Sequence, residues 1–238
     1  MSISKFLHYP VSNLTKKEVV NLIIQHSSLN SVAFITVMNA NKMYLYDHYH
    51  LCKKSIDESI IVLPENAINL GMKLIGIPLK EWDMGGIELA KELLTLTSLN
   101  IYLLGSHDNV LNLILTKTRY SKNIVGFHNG YFNENELPQI ITNIKESNAS
   151  IILLGLGSPK QEELMQKFAS LIDKGIFIGV GGTFDVLSGL KKDAPKWTKR
   201  GFEWLYRAIQ DPKKFKRYIV TNLYFLKQLL LFYLRIFL

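Results

Sequence analysis

Residues 155–161 could bind a phosphate. They form a glycine turn that is followed by residues typical of the start of a helix. The sequence GLGSPKQ follows the apolar run 151–154, which is typical of a buried strand. Ser158 can cap a helix, Pro159 suits the first helical position, and Gln161 would complete a capping box. A strand, a glycine turn and a helix N-terminus leave free backbone N–H groups that favour an anion. The segment therefore predicts a phosphate-binding turn.

A second glycine turn lies further along the chain. The apolar run 176–180 predicts another strand, and it ends in the sequence GGTFD. Because ligands of parallel sheets lie at the carboxyl ends of the strands, we expect Gly157, Gly181 and Gly182 to face one ligand, with Asp185 nearby. The alternative interpretation is a pair of tight turns that bind nothing, since the full dinucleotide fingerprint is absent.

The elements that must position these turns are apolar runs that alternate with helical patterns. The predicted strands are residues 32–37, 60–63, 101–104, 124–125, 151–154 and 176–180. The predicted helices are residues 19–24, 67–75, 87–96, 110–116 and 137–147. This alternation predicts an α/β fold, with a Rossmann-like, mainly parallel sheet and helices on both faces. The polar residues expected at the carboxyl ends of the strands are Asn39, Glu65, Ser106, His128, Asn129, Gln161 and Asp185.

Charge is distributed unevenly along the 238 residues. Residues 1–190 contain 16 lysines and arginines against 17 acidic residues, whereas residues 191–238 contain 12 against three. This asymmetry divides the chain into a predicted α/β body (residues 1–190) and a basic helical appendage (residues 191–238) that favours an anionic partner. The single cysteine and the lack of a continuous apolar stretch at the N-terminus lead us to expect a cytoplasmic protein.

The appendage combines its positive charge with apolar side chains. Residues 218–238 are mostly apolar, with Lys227 near the middle. A lysine at the centre of a spanning helix costs about 2.5–3.5 kcal/mol on insertion scales. We therefore expect residues 200–238 to lie along an anionic membrane surface as a peripheral anchor. The alternatives are packing against the body or a homo-oligomer, and the density of Leu and Phe argues against nucleic acid as the partner.

Neither a metal ion nor a covalent cysteine intermediate is expected. Asp185 has no carboxylate partner at Asp-x-Asp spacing, and the six histidines form no recognised ligand set. Nothing near Cys52 marks it as an activated nucleophile.

Several motifs resemble the WecB/TagA/CpsF family of bacterial glycosyltransferases, glycosyltransferase family 26. They are GLGSPKQE (155–162), GVGGTFDVLSG (179–189), APKW (194–197), FEWLYR (202–207) and VGFHNGYF (125–132). The resemblance implies metal-independent, inverting transfer of a sugar, such as an N-acetylhexosamine, from a UDP-sugar to an undecaprenyl diphosphate-linked acceptor. It implies no cofactor, a location on the inner face of the plasma membrane, and a product such as teichoic acid, capsule or common antigen.

The resemblance also implies a catalytic base, with departures from the family pattern. Glu65 takes the place of the family's catalytic aspartate, one methylene longer, and Asn66 replaces the following glycine. Asp83 lies where the family usually has an arginine, Glu88 replaces a motif aspartate, and Asp193 replaces another arginine. These replacements favour an alternative, a diverged member that binds a sugar nucleotide or scaffolds envelope-assembly enzymes without transferring sugar.

Four further residues are implied to bind substrate. Asn39 matches the asparagine of the family's Thr-x-Asn motif. Val37 replaces the threonine of that motif, and the adjacent Thr36 is expected to bind substrate instead. Gln161 matches the glutamine at the start of a helix, and Arg207 matches the Trp-Leu-Tyr-Arg motif. Arg207 is expected to neutralise the charge of a diphosphate, and its alternative role is a surface ion pair or a lipid contact.

Overall fold

The computed structural model describes residues 4–81, 85–96, 98–195, 198, 201 and 203–237. Its strands are β1 Ser4–Phe6, β2 Tyr9–Val11, β3 Val32–Met38, β4 Ser59–Pro64, β5 Ile101–Gly105, β6 Ile124–His128, β7 Ile151–Gly155 and β8 Gly175–Gly179. Its helices are α1 Lys16–Ser27, α2 Ala40–His48, α3 His50–Asp57, α4 Asn66–Leu74, α5 Gly86–Leu96, α6 Asp108–Leu115, α7 Thr118–Ser121, α8 Leu137–Glu146, α9 Lys160–Ala169, α10 Thr183–Ser188, α11 Glu203–Gln210 and α12 Phe215–Phe237. Single 3₁₀ turns occupy Glu134–Glu136 and Pro212–Lys214.

Six of the strands form one parallel sheet, in the order β4-β3-β8-β7-β5-β6. β1 and β2 form a separate antiparallel hairpin. All strands of a parallel sheet run in the same direction, so their carboxyl ends meet at one edge. The order places β3, β8 and β7 side by side, which brings the two glycine turns next to the polar residues that follow β3 and β4. The predicted Rossmann-like α/β fold is confirmed.

Helices cover both faces of the sheet because successive strand residues point to opposite sides. On one face, Ile35 and Ile178 pack in a cluster with residues of α1, α5, α6 and α10. On the other face, Phe34, Leu154 and Phe177 pack with residues of α8 and α9. Each fully buried side chain of this size contributes about 1.5–3 kcal/mol to folding. The sheet is therefore held rigidly, as a site at its edge requires.

The last helix, α12, packs on the body through one face. Phe225 and Leu229 join a third cluster with Phe6 of the hairpin, Met43 of α2 and Met72 of α4. The predicted C-terminal helix is thus present, and part of it belongs to the core of the fold. The boundary between residues 190 and 191 stays a prediction. Of the helices that the structure describes, none has the length and hydropathy needed to cross a lipid bilayer.

Four helices of the body, α2, α3, α7 and α10, and the hairpin were not predicted from the sequence. The buried residues of α2 are Ala40, Lys42, Met43, Leu45 and Tyr46. A buried lysine among them interrupts the apolar periodicity on which a helix prediction depends. The strands and helices for which bounds were predicted begin or end within a few residues of those bounds.

The predicted start of α9 is wrong by one residue. The helix begins at Lys160, Pro159 occupies the capping position, and no side chain caps the helix. The hydroxyl of Ser158 instead donates to Glu162 Oε1 at 3.0 Å. Gln161 does not form the predicted capping box either, because its amide bonds to Glu162 and to Gly181.

Candidate active site

A cleft of about 1150 Å³ opens at the carboxyl edge of the sheet. Residues that follow five strands line it: Asn39 after β3, Glu65 after β4, Ser106 after β5, Gly157 after β7 and Gly181 after β8. Residues of α11 and of the first turns of α12 line the cleft as well. The cleft therefore lies between the edge of the sheet and the appendage.

Glu65 lies between β4 and α4, with its carboxylate fixed by Asn39. Its Oε2 accepts a hydrogen bond from Asn39 Nδ2 at 3.0 Å. Asn39 Oδ1 accepts from the backbone N–H of Lys42 at 3.0 Å and caps α2, which fixes the amide with its nitrogen toward Glu65. Burial, and then the negative charge of Glu203, raises the pKa of Glu65 to about 7, against the lowering effects of Asn39, Arg207 and Lys42. A carboxyl group with a pKa near neutrality is suited to general-base chemistry.

A second carboxylate, Glu203, enters the cleft from the first residue of α11. Its Oε1 accepts from Arg207 Nε at 3.0 Å and from Arg207 Nη2 at 2.6 Å. Its Oε2 accepts from Asn66 Nδ2 at 2.5 Å. Asn66 is the residue directly after Glu65, so this bond fixes α11 beside the candidate base.

Gln161 connects the two glycine turns. It is almost fully buried; its Oε1 accepts from the Gly181 N–H at 3.3 Å, and its Nε2 donates to Glu162 Oε1 at 2.8 Å. A Cβ at Gly179 would lie 2.6 Å from Gln161 Nε2, so a glycine at this position makes room for the amide. Gln161 thus holds the second turn in place at the cleft.

A buried ion pair lies beneath the cleft. Lys42 Nζ is 3.0 Å from Glu162 Oε1, and the two side chains are 5% and 1% exposed. The same carboxylate oxygen accepts from Ser158 Oγ and Gln161 Nε2. Because an uncompensated buried charge is strongly unfavourable, each partner depends on the other. Lys42 also lines the cleft, but its ammonium group lies buried beside the Glu162 carboxylate, which balances its charge.

The glycine turns present their backbone to the cleft. Gly157 and Gly181 have φ angles of 75° and 55°, which favour glycine. A Cβ at Gly157, Gly181 or Gly182 would have no atom within 4 Å, so the space above each turn is open. α2, α4 and α9 all begin at this edge, and the N-terminus of a helix favours an anion. The local field therefore suits a phosphate group.

Cationic side chains add to that field. Lys191 bridges Asp185 at 2.9 Å and Asp211 at 3.5 Å, and Ser106 Oγ donates to Asp185 at 3.3 Å. These contacts tie the second glycine turn to the start of the appendage. The cations that line the cleft are Lys42, Lys160, Lys191, Arg207, Lys213, Lys214 and Arg217.

An aromatic pair also lines the cleft. The rings of His107 and Tyr131 stack with centroids 4.1 Å apart and planes 19° apart. Tyr131 is 68% exposed, and both residues line the cleft. An exposed aromatic face of this kind can stack on a planar ring of a ligand.

A model of the glycosyl transferase WecG/TagA/CpsF family matches residues 4–236. The chain belongs to this family. The family consists of glycosyltransferases of cell-envelope polysaccharide biosynthesis, which in general use a sugar-nucleotide donor and a lipid-linked acceptor. The match includes α12, so the appendage is part of what the family has in common.

Most of the predicted site residues of this glycosyltransferase line the cleft together. They are Asn39, Glu65, Asn66, Gly157, Gln161, Gly181, Gly182, Asp185 and Arg207. Thr36 does not line it: its side chain is fully buried and its hydroxyl bonds to Ser59 Oγ at 2.9 Å, while the neighbouring Val37 faces the cleft. This location does not favour the predicted contact of Thr36 with substrate. His128 and Asn129 are also outside the cleft lining.

Sequence reasoning did not single out three side chains of this cleft: Lys42, Tyr131 and Glu203. The signal for Glu203 was its spacing of four residues from Arg207 within FEWLYR, which places the two on one helix face. Among the residues that the structure describes, no group of three or more His, Cys, Asp or Glu could hold a metal ion. The replacement at Asp83 lies outside the described residues.

Proposed function

We propose that this protein transfers a sugar from a UDP-sugar to a polyprenyl diphosphate-linked acceptor, with Glu65 as the general base. The observation that carries the proposal is the position of Glu65. Its carboxylate is fixed by Asn39, has a pKa raised to about 7, and lies in a cleft lined by glycine turns and cations. A base, an anion site and a large cleft are what sugar transfer from a nucleotide donor requires.

The proposed reaction is a single displacement with inversion, and it needs no metal ion. An acceptor hydroxyl oxygen bonds to the anomeric carbon of the donor while its proton passes to Glu65. The bond from the anomeric carbon to the diphosphate oxygen breaks, and UDP leaves with the electron pair. Arg207 and the N–H groups of the glycine turns stabilise the negative charge that develops on the diphosphate.

The proposed donor site spans the glycine turns and the aromatic pair. The diphosphate lies against Gly157, Gly181 and Gly182, where the backbone is open to the cleft. The uracil ring stacks on Tyr131, which is held by His107. Asp185 also lines the cleft, and it accepts from a ribose hydroxyl.

The proposed membrane contact is the leucine face of α12, formed by Leu223, Leu226, Leu230 and Leu234. All four are well exposed, and their helical spacing places them on one side of the helix. Phe225 and Leu229 face the body instead. The exposed face can enter the lipid headgroup boundary of the inner leaflet, as a peripheral anchor.

Basic residues flank this face and continue into the cleft. Lys213, Lys216 and Arg217 are exposed near the start of α12, and they suit anionic lipid headgroups. Lys213 and Arg217 also line the cleft. The mouth of the cleft would therefore lie at the membrane surface, where a polyprenyl-linked acceptor is found.

A panel of UDP-sugars, assayed for UDP release with and without a short-chain polyprenyl diphosphate-N-acetylglucosamine in detergent, tests the proposal. We expect release that depends on the acceptor with one class of donor. A protein that binds UDP but releases none from any donor would instead be the diverged, non-transferring member that the sequence replacements allow.

A further inference from the structure

Glu203 lines the cleft, but it has no role in the proposed reaction. Each of its carboxylate oxygens is bound: Oε1 by the Arg207 guanidinium and Oε2 by the Asn66 amide. The side chains of Glu203 and Arg207 are 19% and 22% exposed, so water screens the pair only partly. Because the pair is only partly screened, its charges can shift the protonation of neighbouring titratable groups in the cleft.

The groups that face Glu65 come from several elements. Asn39 and Lys42 approach from β3 and α2, and Glu203 and Arg207 approach from α11. Glu88 of α5 is also close, since a Cβ at Gly85 would lie 3.3 Å from Glu88 Oε2 and 3.6 Å from Glu65 Oε1. Among the described residues, Glu65 therefore faces two other carboxylates and two cations.

Arg207 interacts with both carboxylates of this group, Glu203 and Glu65. It binds Glu203 directly, and its charge also acts on Glu65. It lines the cleft in which we place the donor diphosphate. A diphosphate carries more negative charge than one carboxylate, so a bound nucleotide competes with Glu203 for the guanidinium.

We propose that Glu203 is a positioning residue: it holds Arg207 in the cleft until a diphosphate binds, and its own charge then increases the basicity of Glu65. The inference rests on the proposed function. When Arg207 turns toward the diphosphate, the carboxylate of Glu203 loses its cation and remains beside Glu65. The negative charge of Glu203 favours the protonated form of Glu65, and so strengthens Glu65 as a base.

Titration of the Glu65 carboxyl group by ¹³C NMR tests the charge relationship without any need for turnover. The resonance is assigned by its loss in Glu65→Gln. In Glu203→Gln we expect the midpoint to move to lower pH by about one unit, and in Arg207→Gln we expect it to move to higher pH. Glu203→Asp keeps the charge and should stay near the wild-type midpoint. Glu146→Gln, which removes an exposed charge from α8, is the control for a general effect.

Binding of UDP tests the competition for Arg207. Because Glu203→Gln releases the guanidinium, we expect this variant to bind UDP several-fold more tightly than wild type, and the gain to vanish in Glu203→Gln with Arg207→Gln. A residue that only anchors α11 would give weaker binding on substitution.

The inference is overturned if the Glu65 midpoint is unchanged in Glu203→Gln, or if the midpoints of Glu203→Gln and Arg207→Gln move in the same direction. Failure of the proposed function has a different signature. In that case wild type releases no UDP from any donor, while the two opposed shifts of the Glu65 midpoint are still observed.

Discussion

Lys42 Nζ lies 3.0 Å from Glu162 Oε1, and both side chains are almost completely buried beneath the cleft. The pair joins α2, which is capped by Asn39, to α9, which follows the first glycine turn. Ser158 and Gln161 donate to the same carboxylate, so the pair belongs to a network that connects the two sides of the cleft floor. The shape of the cleft floor therefore depends on this contact.

Breaking the buried pair is expected to destabilise the fold. Removal of one partner of a buried ion pair typically costs about 3–5 kcal/mol, because the other charge is left unpaired. We expect a loss of this order in the free energy of unfolding for Glu162→Gln, measured by urea denaturation. Glu163→Gln, on the same helix but partly exposed, is the matched control and should change stability little. Equal stability of the two variants would contradict the structural role of the pair.

Two substitutions of Asn39 are expected to distinguish its effect on stability from its effect on activity. Asn39→Ser keeps a side-chain oxygen to cap α2 but is too short to bond Glu65, whereas Asn39→Ala loses both contacts. We expect Asn39→Ser to be nearly as stable as wild type and Asn39→Ala to be less stable by about 1 kcal/mol. Both should lower kcat/KM by roughly 10- to 100-fold, because the carboxylate is no longer held in place. Full activity in Asn39→Ser would show that the Asn39–Glu65 bond is not needed.

The raised pKa of Glu65 predicts a pH dependence of activity. Glu65 must be ionised to accept a proton, and its pKa in the folded protein is about 7. We therefore expect kcat/KM to fall as the pH drops through about 7, with one proton taken up. A pH profile that is flat from about pH 5 to about pH 8 would be incompatible with Glu65 as the base.

The raised pKa of Glu65 also predicts that the stability of the fold decreases as the pH rises, whereas the activity increases. Between the ordinary pKa of a glutamate, 4.5, and the folded value of about 7, the native state binds more protons than the unfolded state. Stability contributed by protonated Glu65 is therefore fully present below the unfolded pKa and is lost as the pH rises through the folded pKa. We expect wild type to lose stability relative to Glu65→Gln over this window, as measured by urea unfolding at several pH values.

The leucine face predicts binding to anionic membranes. Leu226→Glu with Leu230→Glu should reduce co-sedimentation with vesicles that contain phosphatidylglycerol, because two charges would have to enter the headgroup boundary. Leu171→Glu, at an exposed leucine elsewhere, is the control. If the double variant sediments as well as wild type but changes from an oligomer to a monomer, the leucine face instead contacts a second copy of the chain.

The strand ends of the site were predictable because each polar residue follows an apolar run, either directly or after a short turn. Asn39, Glu65 and Gln161 were found in this way, since parallel strands end at one edge of the sheet. The sequence could not show which way their side chains turn. Gln161 was expected to complete a capping box, whereas its amide bonds to Gly181 and Glu162. Its contact with substrate stays a prediction.

The rest of the site depends on contacts between distant parts of the chain. Glu203 and Asn66 are 137 positions apart, and no local pattern pairs them. Lys42 was missed for a different reason: lysine is rarely buried without a partner, and that partner, Glu162, lies on another helix. Thr36 was placed in the site because it adjoins Val37, but neighbouring strand residues point to opposite faces, and Thr36 turns away from the cleft.

The most direct test of the account is acceptor-dependent UDP release by wild type, Glu65→Gln and the control Glu146→Gln, with UDP binding measured for all three. We predict that Glu65→Gln binds UDP like wild type but loses about 100-fold or more of the acceptor-dependent rate, while Glu146→Gln keeps it. Release by Glu65→Gln at the wild-type rate would contradict the assignment of Glu65 as the base.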